Sequence, residues 1–81
     1  MSALTLGERI RCGRMRRGLS ARELADQAAC GLTRGIITNI ENERKTVVRS
    51  DQIEPLCRVL RVSYEALILG AEDDEVRRWA K

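Results

Sequence analysis

Residues 19–41, with the sequence LSARELADQAACGLTRGIITNIE, carry the start signals of two short helices. Ser20 followed by Glu23 is a capping box, in which the two residues satisfy each other's free backbone N–H groups. Thr33 repeats half of this device, because its hydroxyl oxygen can accept from a backbone N–H at the start of a second helix. Each start also has the apolar pair of a hydrophobic staple: Leu19 with Leu24, and Leu32 with Ile37.

The two helix starts lie 13 residues apart, which leaves room for a helix of about two turns and a connecting turn. In the second helix, predicted over residues 34–42, Ile37 and Ile40 form an apolar stripe and the polar side chains lie opposite. Two short helices with this spacing are typical of a helix-turn-helix, whose second helix lies in the DNA major groove.

The whole chain has 81 residues, enough for one domain with a single core. Tyr64 and Trp79 are its two aromatic residues, so the core should be aliphatic. One proline and no alternating β-branched runs favour an all-α fold. We predict five helices, and the first three cover residues 6–17, 21–29 and 34–42. The fourth is capped by Asp51 and Glu54 and has Pro55 in its first turn. The fifth begins after its cap Ser63 and ends near Gly70. The inward side of the first should include Leu6, Ile10, Gly13 and Met15.

Charge is unevenly distributed along the chain. Residues 1–50 carry ten Arg and Lys against five Asp and Glu, a net charge of +5, whereas residues 51–81 carry five against seven, a net charge of −2. The basic half contains the two-helix motif. An anionic partner such as nucleic acid fits this arrangement better than a membrane surface does.

Several classes of function are disfavoured. The chain has three cysteines (Cys12, Cys30 and Cys57), no histidine and no paired-cysteine motif, so we expect it to bind no metal and no cofactor. We expect the cysteines to be small core-filling residues of a protein in the reducing cytoplasm. The acidic run at residues 73–75 is expected to start a helix, and no nucleophile–base pair suggests an enzyme. The apolar stripe of residues 76, 79 and 80 fits packing on the same chain and packing across a dimer equally well.

Three stretches together resemble the Xre family, the Cro and phage-repressor type of DNA-binding domain. They are LGERIRCGRMRRGLSARELA (6–25), ITNIEN (37–42) and LCRVLRVSYEAL (56–67), and the resemblance covers residues 5–69. It implies a lambda-repressor-like five-helix domain over residues 1–70, followed by a tail at 71–81 that forms a short sixth helix or a dimer contact. Residues 33–60 also resemble small regulators of actinobacteria and their phages.

The chain departs from the family pattern at three places. The AACG segment (28–31) lengthens the turn before the third helix, which leaves the start of that helix open. Ala21 stands where a phosphate-binding glutamine is common, and Glu43 replaces a common glycine. Asn42 tolerates a left-handed conformation and could cap the third helix instead.

The resemblance and the residue chemistry together predict the binding residues. Arginine can bind the guanine edge and asparagine the adenine edge, and the predicted base-reading residues are Arg34, Gly35, Ile36, Thr38 and Asn39. For Gly35, close approach of a ligand and ordinary tolerance of glycine in a first turn stay equally open. The predicted DNA-backbone contacts are Ser20, Arg22, Thr33, Asn42, Arg44 and Lys45.

Arg14 and Glu41 are expected to form a structural ion pair between the first and third helices, as in related domains. The resemblance implies a sequence-specific regulator of transcription that binds double-stranded DNA. We expect a repressor that binds a pseudo-palindromic operator as a homodimer. The alternative is a protein-interaction module of antitoxin or adaptor type, with the acidic second half and the tail as its contact surface.

Overall fold

A computed structural model describes residues 4–42 and 50–71, and every regular element in these two stretches is helical. The elements are α1 (Leu6–Arg16), α2 (Ala21–Ala28), α3 (Arg34–Glu41), α4 (Ser50–Leu60) and a π-helical turn (Glu65–Leu69). The described residues contain no strand, so the all-α prediction is confirmed. The predicted sixth helix at 71–81 falls almost entirely outside the described residues.

Local capping explains where the first three helices begin. In α2, Ser20 N donates to Glu23 Oε1 (3.0 Å) and Glu23 N donates to Ser20 Oγ (3.1 Å), which completes the predicted capping box. The α1 start has an equal box that the sequence analysis missed, in which Thr5 N donates to Glu8 Oε1 over 2.8 Å. Its signal, threonine followed three residues later by glutamate, was present in the sequence.

Helices α1 and α4 end in the same way. Gly18 adopts a left-handed conformation (φ 69°), and Leu19 N donates back to the Arg14 carbonyl at 3.0 Å. At the end of α4, Arg61 takes the left-handed position (φ 57°) and Val62 N donates to the carbonyl of Cys57. These are Schellman motifs, which satisfy carbonyl groups that the last helical turn leaves free.

The core is aliphatic and lies where α1, α2, α3 and α4 meet. Its fully buried centre consists of five large side chains: Ile10, Leu24, Ile37, Ile40 and Leu56. Ala25 and Ala28 are also buried on α2, and their small side chains let α3 and α4 pack closely against that helix. The predicted Ile37/Ile40 stripe therefore forms the buried side of α3.

Predictions of burial are wrong for Met15 and for Cys30. Met15 is 61% exposed, because five residues at 100° each place it about 140° around the helix from Ile10. The prediction of core-filling cysteines is wrong for Cys30, which is exposed in the α2–α3 turn; Cys12 and Cys57 are half-buried, and Cys57 packs against the core. Burial raises the pKa of both half-buried thiols.

The predicted start of the fourth helix is also wrong. Asp51 lies inside the first turn of α4 and Pro55 is its sixth residue, so neither occupies the position expected of it. A proline there cannot donate the usual backbone hydrogen bond, at a cost of about 3 kcal/mol. Its ring is buried, and burial of apolar surface offsets part of that cost.

The fifth helix is a π-helical turn. Its N-cap residue is Tyr64, one position after the expected Ser63. Ser63 Oγ nevertheless accepts from Ala66 N at 3.0 Å, and Gly70 follows the turn in a left-handed conformation. Arg9 of α1 donates from Nη1 to the carbonyl oxygens of Leu67 (3.3 Å) and Ile68 (3.2 Å). This contact joins the end of the described chain to α1.

Candidate nucleic-acid interface

One side of α3 is open to solvent. Arg34, Gly35, Thr38 and Asn39 are all exposed there, while Ile36 is half-buried and packs against the core. Four of the five predicted base-reading residues thus lie on the accessible side of one rigid helix. Ile36 lies at its edge, where part of the side chain is available to a ligand and part supports the core.

The start of α3 differs electrostatically from the starts of α1 and α2. Thr33 Oγ1 accepts from Ile36 N at 3.2 Å, but the first turn of α3 contains no acidic residue. Glu8 and Glu23 occupy the first turns of the other two helices. The positive end of the α3 dipole is therefore not offset by a local carboxylate, and the exposed Arg34 adds a full positive charge beside it.

The predicted phosphate-binding residues are only partly described. Ser20 and Arg22 are exposed at the start of α2, and Thr33 is exposed at the start of α3. Asn42 is exposed after α3 and occupies its C-cap, with φ −89° rather than the left-handed conformation considered above. Arg44 and Lys45 lie outside the described residues.

The turn between α2 and α3 has an uncommon backbone. Ala29, Cys30 and Gly31 have φ values of 55°, 54° and 77° in succession. Only glycine adopts positive φ without a steric cost, so the first two positions are strained. This turn falls in the longer AACG segment noted in the sequence and ends two residues before Thr33, the N-cap of α3.

An ion pair attaches the end of α3 to α1. Arg14 donates from Nε and Nη2 to Glu41 Oε2 and Oε1, each over 2.9 Å, and its Nη1 donates to the Leu19 carbonyl over 2.9 Å. The two side chains are only 17% and 8% exposed. The hydrogen bonds that Arg14 donates to the Glu41 carboxylate raise the pKa of Arg14, so the guanidinium stays charged. One side chain thus joins α1, the α1–α2 connection and α3.

A second contact between α1 and α3 was missed by the sequence analysis. Gly7 is buried, and a Cβ built on it would overlap the Ile40 carbonyl oxygen and lie 3.0 Å from the Cα of Glu41. The two backbones therefore touch at this point. A glycine inside a predicted helix, where it costs about 1 kcal/mol relative to alanine, was the available signal.

These features suit the binding of an extended anion. Within residues 4–42 and 50–71 no cluster of side chains could hold a metal ion. None of the helices in those two stretches is both long and apolar enough to cross a membrane. What the site offers is hydrogen-bond donors and positive charge on a helix whose buried side is held by the core.

Comparison with known proteins agrees with this geometry. A family model described as a helix-turn-helix domain matches residues 5–79, which includes all of α1 to α4 and the π-helical turn. Neither a curated protein nor a solved structure gives a significant match.

Proposed function

Because the chain belongs to the helix-turn-helix domain family, we propose that it is a transcription regulator that binds double-stranded DNA in a sequence-specific manner. Helix α3 is the recognition helix and enters the major groove. The observation that carries the proposal is the exposure of Arg34, Thr38 and Asn39 on one side of a helix whose opposite side, at Ile37, is fully buried.

The exposed groups match the chemistry of base edges. Arg34 can donate two hydrogen bonds to O6 and N7 of guanine, and Asn39 can pair with N6 and N7 of adenine. Thr38 can contact either a base or a phosphate, while the exposed part of Ile36 can pack on a thymine methyl group. Gly35 leaves space for the helix backbone to approach the DNA.

Backbone contacts position the helix. The start of α3, with its Thr33 cap and no acid in its first turn, favours a phosphate. Arg22 and Ser20 on α2, together with Asn42, Arg44 and Lys45 after α3, supply further contacts. Such contacts set register and make affinity depend on salt, without distinguishing sequences.

We further propose an Xre-type repressor that binds a pseudo-palindromic operator as a homodimer. One domain of this size presents few base-reading side chains. Two domains on half-sites about one DNA turn apart multiply their discrimination. The protein would therefore act in the cytoplasm, where its DNA target is.

Selection of bound sequences from a random duplex library tests the proposal. The wild type is compared with Arg34→Ala/Asn39→Ala and with Arg58→Ala, a control that removes the same charge from an exposed site on α4. We expect a palindromic motif for the wild type and the control, and a lost or relaxed motif for the double variant. Absence of any motif for the wild type would contradict sequence-specific binding.

A second candidate function is a protein-interaction module of antitoxin or adaptor type. Tyr64 and Leu69, which are 53% and 69% exposed, favour it, because they leave large apolar side chains open in the acidic half of the chain. DNA affinity that survives Arg34→Ala/Asn39→Ala, together with a partner lost on Tyr64→Ser/Leu69→Ser substitution, would support this candidate over the first.

A further inference from the structure

The backbones of α1 and α3 are in direct contact at Gly7. A Cβ there would overlap the Ile40 carbonyl oxygen and lie 3.1 Å from the Ile40 carbonyl carbon and 3.0 Å from the Glu41 Cα. All three atoms belong to the backbone in the last turn of α3. A side chain could rotate away from an added methyl group, but these backbone atoms can retreat only if the helix itself moves.

Two other glycines lack this property. A Cβ on Gly13, also in α1, would meet the side-chain carbons of Leu60 at 3.5 Å, an ordinary contact that does not involve α3. A Cβ on Gly35, in α3 itself, would have Thr33 Oγ1 at 3.8 Å as its nearest neighbour. The close approach is therefore a feature of one position on α1 and not of glycine in these helices generally.

Gly7 acts together with Arg14. The two residues are seven positions apart, which places them on the same side of α1 about two turns, or roughly 10 Å, from each other. Arg14 holds the Glu41 carboxylate through two hydrogen bonds, while Gly7 touches the backbone of the same turn. A methyl group on residue 7 would push this backbone while Arg14 kept its hold, so α3 would tilt.

The geometry gives an estimate of the angle through which α3 would tilt. Relief of the overlap requires a movement on the order of 1 Å to restore van der Waals separation. Helix α3 has eight residues and is therefore about 12 Å long, so such a movement at one end turns its axis by roughly 5°. Hydrogen bonds to base edges need donor–acceptor distances within a few tenths of an ångström. Charge attraction to phosphates varies slowly with distance.

We propose that Gly7 is a positioning residue that determines DNA sequence specificity, although it lies on α1, away from the proposed base-reading side. Its missing side chain lets α3 sit at the angle that base reading requires. The inference rests on the proposed function, since it concerns how the same helix recognises its operator.

The test measures Kd for the selected operator and for a scrambled duplex of equal length and composition, at one salt concentration. It compares Gly7→Ala with Gly13→Ala as the matched control. Both variants and the reference protein carry Ala29→Gly, which we expect to add stability because alanine is strained at φ 55°. Circular dichroism establishes that each protein is folded at the assay temperature.

We expect Gly7→Ala to bind the scrambled duplex as the reference does and to bind the operator roughly tenfold or more weakly, the equivalent of one lost base contact. Gly13→Ala should keep the reference ratio of the two Kd values. An unchanged ratio in Gly7→Ala, an equal fall in Gly13→Ala, or a Gly7→Ala protein that does not fold would each overturn the proposal. Failure of the proposed function would appear separately, as a reference protein that distinguishes no sequence.

Discussion

Removal of the Arg14 side chain tests whether the ion pair with Glu41 holds α3 in place. Arg14→Ala deletes two hydrogen bonds to the Glu41 carboxylate and one to the Leu19 carbonyl, all of 2.9 Å. The carboxylate left behind is on a side chain only 8% exposed. A charge kept in such a place without its partner is strongly destabilising.

The size of the effect follows from this burial. Loss of one partner of a buried pair costs about 3–5 kcal/mol. Water that enters the space of Arg14 should keep the cost at the lower end, about 3 kcal/mol. A domain of 81 residues has a total stability of about 4–12 kcal/mol. The substitution should therefore lower Tm by about 12–24 °C.

Thermal and urea unfolding followed by circular dichroism measure this change. Arg11→Ala is the matched control, because Arg11 is an exposed arginine on the same helix and should change stability by no more than about 0.5 kcal/mol. Arg14→Met/Glu41→Leu should recover most of the loss, since the double variant buries no unpaired charge. Equal Tm values for Arg14→Ala and Arg11→Ala would refute the reasoning.

Three further predictions concern the turn, a helix cap and the thiols. Ala29→Gly should raise the free energy of unfolding by about 1 kcal/mol, because alanine is strained at φ 55°; an unchanged urea midpoint would contradict this. Hydrogen bonds within its capping box hold the pKa of Glu23 below the ordinary 4.5, so its stabilisation is complete above that pH and disappears as pH falls through the lowered pKa. Glu23→Gln should flatten this part of the Tm–pH profile, and an unaltered profile would rule the explanation out. Cys30 is exposed, whereas burial raises the pKa of the half-buried Cys12 and Cys57. A thiol reagent should therefore react quickly with Cys30 and slowly with the other two cysteines, and three equal reaction rates would contradict this prediction.

Local signals predicted the first three helices well. The cap–glutamate spacing from Ser20 to Glu23 and the cap at Thr33 involve residues three positions apart, and they therefore act in the same way in any fold that contains them. Helical periodicity likewise predicted which side of α3 is buried, as Ile37 and Ile40 confirm. It predicted the exposure of Asn39 as well, although the contact of this residue with DNA remains a prediction.

The same local reasoning failed for Pro55 and Met15, whose surroundings depend on how the helices pack. Asp51 and Glu54 suggested a helix start that placed Pro55 in the first turn, but tertiary packing buries the proline ring in the middle of α4. Met15 is apolar and was therefore placed inside, yet its angular position on α1 leaves it in solvent. Propensity gives a weak preference for each residue, and packing overrides it.

The starts of α2 and α3, the buried stripe of α3 and the helix-turn-helix spacing were thus set by the sequence, because they depend on neighbours within a few residues. The contact of Gly7 with α3 and the bond from Arg9 to Leu67 emerged only from the folded chain. The first joins residues 33 positions apart and the second joins residues 58 positions apart. Their distances depend on how all the helices pack around one core, which no local pattern records.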